Sequence, residues 1–332
     1  MHHWSLKDLH NIYTFSIRFF FLSFLVIGYF GLGLYHVLNT PTPLQEELVF
    51  KIRRGQNLSN VIERLKENGI IDSDFWIKIY LYLKRADKSI KTGDYLLTPH
   101  MTPRKIFKVI LKGEGLSYKI MIPEGLTNLQ IVEFLENFPF LEEDQVDLPS
   151  EGLLLPETYT VRGGTTYSTV INFMHAKMMA TLMNVWAHRD KDLHLKTPEE
   201  LLILASVVEK ETNLREELPR VAGVFMNRLR KNMKLQSDPT TIYGLTNGEG
   251  KLDRPLRGID TRHVSDYNTY YIKGLPPTPI CNPGRRTLEA VAHPERHNYL
   301  YFVINGMGGH NFSVDYGSHK KHIGKLKKSK KK

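Results

Sequence analysis

A single cysteine, Cys281, is all the chain holds, so no intramolecular disulfide can form and cysteine usage says nothing about redox compartment. The sequence has no G-x-S-x-G elbow and no Walker A motif, which sets aside the hydrolase nucleophile and the P-loop phosphate cradle. H-E-x-x-H is missing too. His293 and His297 are four apart, but they frame HPERH with Pro294 inside the pair, so no metal and no cofactor are expected. Acidic residues are absent from the last fifteen positions, SHKKHIGKLKKSKKK, which carry eight Lys. Removing those eight from the net charge of +10 leaves +2, so the body is near neutral and no nucleic-acid partner is expected. The basic tail, 320–332, reads as a disordered, solvated end able to touch an anionic surface. No internal repeat is evident.

Long uncharged stretches are equally scarce, with one exception at Phe19–Leu38, FFFLSFLVIGYFGLGLYHVL. Twenty residues span about 30 Å as a helix, the thickness of a bilayer core. The run is too long for a signal-peptide core, no small-x-small cleavage site follows it, and Pro41 and Pro43 end it. Lys7 and Arg18 on the short leading side favour a cytoplasmic N-terminus, 1–18. The expected arrangement is a single-pass type II anchor, 19–38, with everything after about residue 40 outside the cytoplasm.

The most telling apolar segment is LLILASVVEKET, Leu201–Thr212. Thr197 can cap a helix there, Pro198 suits its first position, and Glu200 completes a T-x-x-E capping box. Pro198 to Glu211 makes about four turns, with Glu209 and Glu211 at the far end. At about 100° per residue Glu211 shares a side with Leu204 and Val207, whereas Glu209 follows Ser206 and Ala205 and points away. A Glu set into an apolar face keeps its proton to higher pH, as a general acid requires. Spacing alone leaves a plainer alternative open: a helix end with two solvated acids balanced by Lys210 and Arg215.

Residues 46–115 read as a small αβ unit: a strand (LVFKI), a helix with the stripe Val61, Ile62 and Leu65, a second helix (DSDFWIKIYLYLKRA), a strand (IKTGDYLLTP), and a helix capped by Thr102. Its G-Q-N-L-x-x-V-I pattern resembles LysM modules, a resemblance that implies binding of glycans containing N-acetylglucosamine. From 116 to 319 the chain restarts with a strand and a helix, then a long helix from Thr166 to His188, the Glu209/Glu211 helix, and a helix Arg220–Lys231. A loop-rich stretch, 235–282, a helix (TLEAVAH) and a strand (YLYFVI) complete it, for an α+β fold overall.

ASVVEKET, LQSDPTTIYG, DYNTYYIKGLPPTPICNPG, AVAHPERHNYLYFV and GGHNFS follow one another in that order. With Pro123–Gly125 and the segment LLLPETY, they make the chain similar to the endolytic murein transglycosylases, the YceG-like family. The resemblance implies a LysM-like subdomain, a catalytic domain with a lysozyme-like helical core, and one essential Glu. It implies cleavage, without water, of the β-1,4 bond between N-acetylmuramic acid and N-acetylglucosamine in nascent strands. The 1,6-anhydro end that results terminates glycan growth. Related lytic enzymes carry an E-S pair, which Glu211-Thr212 matches better than Glu209-Lys210; Glu211 is therefore the expected acid and base, Glu209 the second choice. Gln236, Asp238, Thr240, Tyr243, Asn268, Thr269 and Tyr270 are the expected substrate-binding residues, although Tyr243 could equally pack, and Asn268 and Thr269 could only shape their loop. His310 could contact substrate, although a turn histidine is more often structural, and Cys281 receives no role. Leu153 and Leu155 stand where the family more usually has aromatics. The expected location is the bacterial inner membrane with the catalytic domain periplasmic, and the expected partners are peptidoglycan strands, synthases and division proteins. A competing reading, a non-catalytic anchored scaffold that binds glycan, shares the anchor, the LysM-like region and the tail.

Overall fold

The computed structural model describes residues 6–86 and 90–329. The first five residues of the expected cytoplasmic segment and the last three of the basic tail lie outside the described residues. The described residues form two compact units, one within 1–118 together with 162–165, the other within 119–161 and from 166 on. The return of 162–165 to the first unit has no signature in the linear pattern.

The first unit opens with α1 (Leu6–Asn39). Its segment Tyr13–Asn39 is the one helix among the described residues long and apolar enough to cross a membrane. β1 (Leu48–Ile52), α2 (Leu58–Glu67), α3 (Asp74–Leu83), β2 (Gly93–Leu97) and α4 (Pro103–Lys112) follow. β1 and β2 pair antiparallel with Phe50 opposite Tyr95. Asn57 and Thr102 accept backbone N–H groups at the starts of α2 and α4, and Gly113, at φ 70°, ends α4 in the left-handed region. The stripe Val61, Ile62 and Leu65 meets Ile77, Leu81, Ile106, Phe107 and Tyr95 in a closed core. Asp94, buried beside that core, accepts from Arg53 at 2.6 Å and from Tyr118 at 2.8 Å. Its charge is thereby paired and hydrogen-bonded.

β3 (Ser117–Met121) enters the second unit at Lys119, β5 (Thr158–Arg162) leaves it after Val161 and β6 (Thr165–Thr166) rejoins it at Thr166; α5 (Asn128–Leu135), β4 (Leu141–Glu142) and α6 (Tyr167–His188) lie wholly within it. Then come α7 (Pro198–Glu211), α8 (Leu218–Arg230), α9 (Asp238–Leu245), α10 (Arg285–Ala292), the hairpin β7 (Tyr301–Ile304) and β8 (His310–Ser313), and α11 (Tyr316–Ser329). α7 is the hub: α6, α8, α9 and α10 all pack on it, and every side chain from Leu201 to Val208 is buried. The mixed helix-and-strand character agrees with the α+β expectation.

Three local expectations change. Thr197 caps α7, but the Glu200 carboxylate accepts the Lys196 N–H at 2.6 Å, so the box closes one residue early. Thr127 and Gln130 form the full reciprocal box, at α5. The loop-rich stretch holds α9, whose start, Ser237-Asp238-Pro239, carries an N-cap residue and a first-turn proline. The tail, expected to be disordered, is helical through Ser329. Asp315 accepts the Ser318 N–H and hydroxyl, and Tyr316 and His319 lie against Tyr301, so a capped first turn with aromatic packing nucleates a helix that lysines alone would not.

Asn282, fully buried, clasps separate segments of this unit. Its amide donates to the Leu126 carbonyl, Asn128 Oδ1 and Glu151 Oε1, and its carbonyl accepts the Leu154 N–H at 2.8 Å. Asn282→Ala strands several buried groups at once and is expected to cost about 2–4 kcal/mol. Urea unfolding reads this as a lower midpoint at unchanged slope.

Candidate active site

Because the inner turns of α7 are buried all round, both acids of its last turn enter packed surroundings. The solvated-end alternative does not describe them, and the side facing away from Leu204 is no less buried than the side facing it. Their partners differ. Glu209 Oε2 accepts the Gly284 N–H at 2.9 Å and the Thr287 hydroxyl at 2.5 Å, at the N-terminus of α10. It thus caps a neighbouring helix where backbone N–H groups lack partners and the dipole favours an anion. Burial raises its pKa, with Glu124 adding, while Thr287, Gly284 and Lys210 oppose. Lys210 itself donates to the Gly125 carbonyl.

Glu211 faces a cavity of about 300 Å³. Its Oε1 accepts a 2.5 Å hydrogen bond from the Ser237 hydroxyl. Burial pushes its pKa up to about 7; nearby Asp238 adds to the rise, while Ser237 and the Arg228 guanidinium pull against it. Ser237 sits at the N-cap of α9 and makes no side-chain cap bond; its hydroxyl donates to Glu211. Gln236, just before it, takes a positive φ of 52°, and its N–H donates to the Thr269 carbonyl. The Ser237 N–H donates to Thr269 Oγ1 at 2.9 Å. Thr240 Oγ1 shares a 2.8 Å hydrogen bond with that same Thr269 oxygen. The turn that aims Ser237 is therefore held from beneath.

Of the expected binding residues, Gln236, Asp238 and Tyr270 line the cavity with Glu211, and the Tyr270 hydroxyl donates to Asp238 at 2.6 Å. Thr240, Asn268 and Thr269 are buried and do not line it. Asn268 accepts from Thr241 and donates to the Thr261 and His263 carbonyls, so it and the two threonines build the loop. Tyr243 packs on Tyr267, with ring centroids 4.9 Å apart, and lies outside the cavity. His310 is bonded to Glu217 at 2.6 Å, and Cys281 is buried with its thiol on the Ser206 carbonyl.

Several cavity residues escape a linear reading. Arg228, buried on α8, donates to the Leu235 carbonyl and to the Leu300 carbonyl, both at 2.7 Å, tying the Gln236 turn to the chain entering β7. Tyr301, Phe302, Tyr316 and His319 form the facing wall. The buried His319 Nδ1 finds no hydrogen-bond partner among the described residues. Ser237 was within reach of sequence reasoning, since it lies between two chosen residues of LQSDPT. Arg228 and the aromatic wall had no such signal, because only the meeting of α8, β7 and α11 gives them a common address.

The geometry offers a carboxyl that exchanges its proton near neutrality, one short hydrogen bond to orient it, and a cationic guanidinium nearby. The second cavity carboxylate, Asp238, is engaged by a tyrosine hydroxyl. Such a site suits a reaction in which one group gives and then takes a proton.

The YceG-like family model matches residues 50–325. The chain is 29% identical over 302 residues to the endolytic murein transglycosylase of Bacillus subtilis (strain 168), covering 81% of this chain and 82% of that protein. It is 28% identical to the endolytic murein transglycosylase of Streptococcus pneumoniae serotype 2 (strain D39), covering 87% of this chain and 61% of that protein. Among solved structures, a YceG-like protein from Listeria monocytogenes matches at 28% identity and a TM-score of 0.48, covering 84% of this chain and 99% of that one.

The two acids should separate by experiment. A glutamate raised from 4.5 to about 7 binds its proton more tightly in the folded state. Its contribution to stability is complete below about pH 4.5 and is lost as pH rises toward 7. Glu211→Gln removes that loss, so it should stabilise the protein at pH 8 by on the order of 2–3 kcal/mol and leave it unchanged at pH 4. Glu209→Ala should instead cost about 1–2 kcal/mol through the lost cap. Thermal melts of both variants at the two pH values check this.

Proposed function

The chain belongs to the YceG-like family, and from that premise we propose that it is an endolytic murein transglycosylase whose single acid and base is Glu211. The observation that carries the assignment is the Glu211 carboxyl, shifted to about 7 by burial and oriented by Ser237 in a polar cavity.

The chemistry follows from one proton-exchanging group. Protonated Glu211 gives its proton to the bridging oxygen as the bond from muramoyl C1 breaks, releasing the 4-hydroxyl of N-acetylglucosamine. The carboxylate left behind takes the proton of the muramoyl C6 hydroxyl, whose oxygen bonds to C1 and closes a 1,6-anhydro ring. Atoms balance without water, and Glu211 ends protonated as it began. Attack from within the same sugar gains from proximity, so no second carboxylate is needed to activate a nucleophile. Gln236, Asp238 and Tyr270 offer amide, carboxylate and hydroxyl groups to the sugars.

The broader setting belongs to the same proposal. α1 anchors the chain as a single-pass type II protein of the bacterial inner membrane, and the remainder, including the cavity, works outside the cytoplasm. Residues 46–115 form a LysM-like glycan-binding subdomain, a reading supported by the order β1–α2–α3–β2. Residues 116–319 form the catalytic domain, whose lysozyme-like element is α7 with its terminal glutamate. Cleavage of nascent strands ends their elongation, which makes peptidoglycan synthases and division proteins the natural protein partners.

Full-length protein incubated with uncrosslinked glycan should release fragments with anhydro ends detectable by mass spectrometry. Glu211→Gln should lower that release by about 10²–10⁴-fold while the chain stays folded. An active Gln variant removes the assignment, and glycan binding without anhydro ends in the wild type favours the scaffold. Because the starting form is protonated, kcat/KM should fall about tenfold per pH unit above about pH 7. Ser237→Ala should move that fall to higher pH, since its hydrogen bond favours the ionised carboxylate.

A further inference from the structure

We infer that α3 lies on the membrane surface, with the face formed by Phe75, Tyr82 and Leu83 in contact with lipid. The inference rests on the reading of α1 as a membrane span.

α3 is apolar on two opposite faces. Ile77 and Leu81 are buried in the core of the first unit. On the far side Phe75 is 54%, Tyr82 82% and Leu83 67% exposed. An apolar helix in water keeps one side polar, and a surface that breaks this rule marks a contact site.

The neighbouring helix says what covers it. Trp76 packs edge-on against Phe30 of α1, with ring centroids 5.4 Å apart. A side chain at Gly33 would meet the Trp76 ring at 2.7 Å, so the glycine is what lets α3 approach this closely. Leu34, Val37 and Leu38 pack on the same core. Phe30 and Gly33 both belong to the uncharged run that begins after Arg18. Phe30 precedes Leu38 by eight residues, about 12 Å along the helix. A bilayer core about 30 Å thick that begins after Arg18 therefore still surrounds Phe30. A helix that touches Phe30 is at the depth of the lipid headgroups or below. Phe75 packs on Trp76 with ring centroids 5.2 Å apart, and exposed aromatic rings suit the interface, where one end is dry and the other wet. Lys84 and Arg85, exposed just beyond the end of the helix, supply cations for lipid phosphates. The first unit would then lie against the membrane rather than swing on a tether.

The test uses the full chain reconstituted in phosphatidylcholine–phosphatidylglycerol vesicles, with a nitroxide at Tyr82→Cys, or at Leu83→Cys should the first variant misfold. Phe24→Cys in the span and Glu63→Cys on the exposed face of α2 serve as references; Cys281 is fully buried, and labelled wild-type chain sets the background. The label on α3 should collide with oxygen several-fold more than with a water-soluble nickel chelate, as at Phe24 and in contrast to Glu63. Nickel access equal to that at Glu63, with Phe24 still in lipid, overturns this proposal alone. Nickel access at Phe24 overturns the span and the proposal with it. Shielding from both reagents assigns the face to a second copy or another protein and also overturns it.

Discussion

A helix buried on all sides can put charged groups only at its ends, and the second unit of this protein is arranged around that constraint. From Leu201 to Val208, α7 gives every side chain to the core. The desolvation that makes these residues good core is what raises the two glutamates next to them. The neighbours of α7 then decide what each acid does. α10 offers the Gly284 N–H and the Thr287 hydroxyl, and Glu209 becomes a cap. The turn before α9 offers one hydroxyl beside an open cavity, and Glu211 stays available to exchange a proton.

That turn costs something to hold. Gln236 sits in the left-handed region without being glycine, and Ser237 lacks the cap bond its position favours. Thr240, Asn268 and Thr269 supply buried hydrogen bonds from below, and Arg228 grips the Leu235 carbonyl from the side. Polar residues that look like sugar ligands in the linear motif are thus the scaffold of the site. The distinction is one of burial: a hydroxyl satisfied inside the protein has nothing left to offer a substrate.

A second constraint governs the first unit. α3 carries apolar residues on opposite faces, and only one face can meet the core built by α2, α4 and the β1–β2 pair. Gly33 and Trp76 bring α1 onto its flank, leaving an apolar surface next to the helix suited to span a membrane.

Much of this was legible in the linear chain. The apolar run of α1, the stripe Val61, Ile62 and Leu65, the caps at Thr102 and Thr197, and the placing of two acids at the end of α7 follow from local chemistry and periodicity, which act over a few residues. The ordered motifs carried the family. Other features were decided only in three dimensions. Helicity of the lysine-rich tail depends on Tyr301, and the membership of 162–165 in the first unit depends on packing. The cavity wall depends on α8, β7 and α11 meeting. The difference between Glu209 and Glu211 has the same origin. Both acids are two residues apart on one helix, and both are raised by burial. What separates them is a helix N-terminus some 75 residues away in one case and a serine hydroxyl 26 residues away in the other. Hydrogen bonds between such distant partners leave no local periodicity, so only the folded chain decides which groups each acid meets.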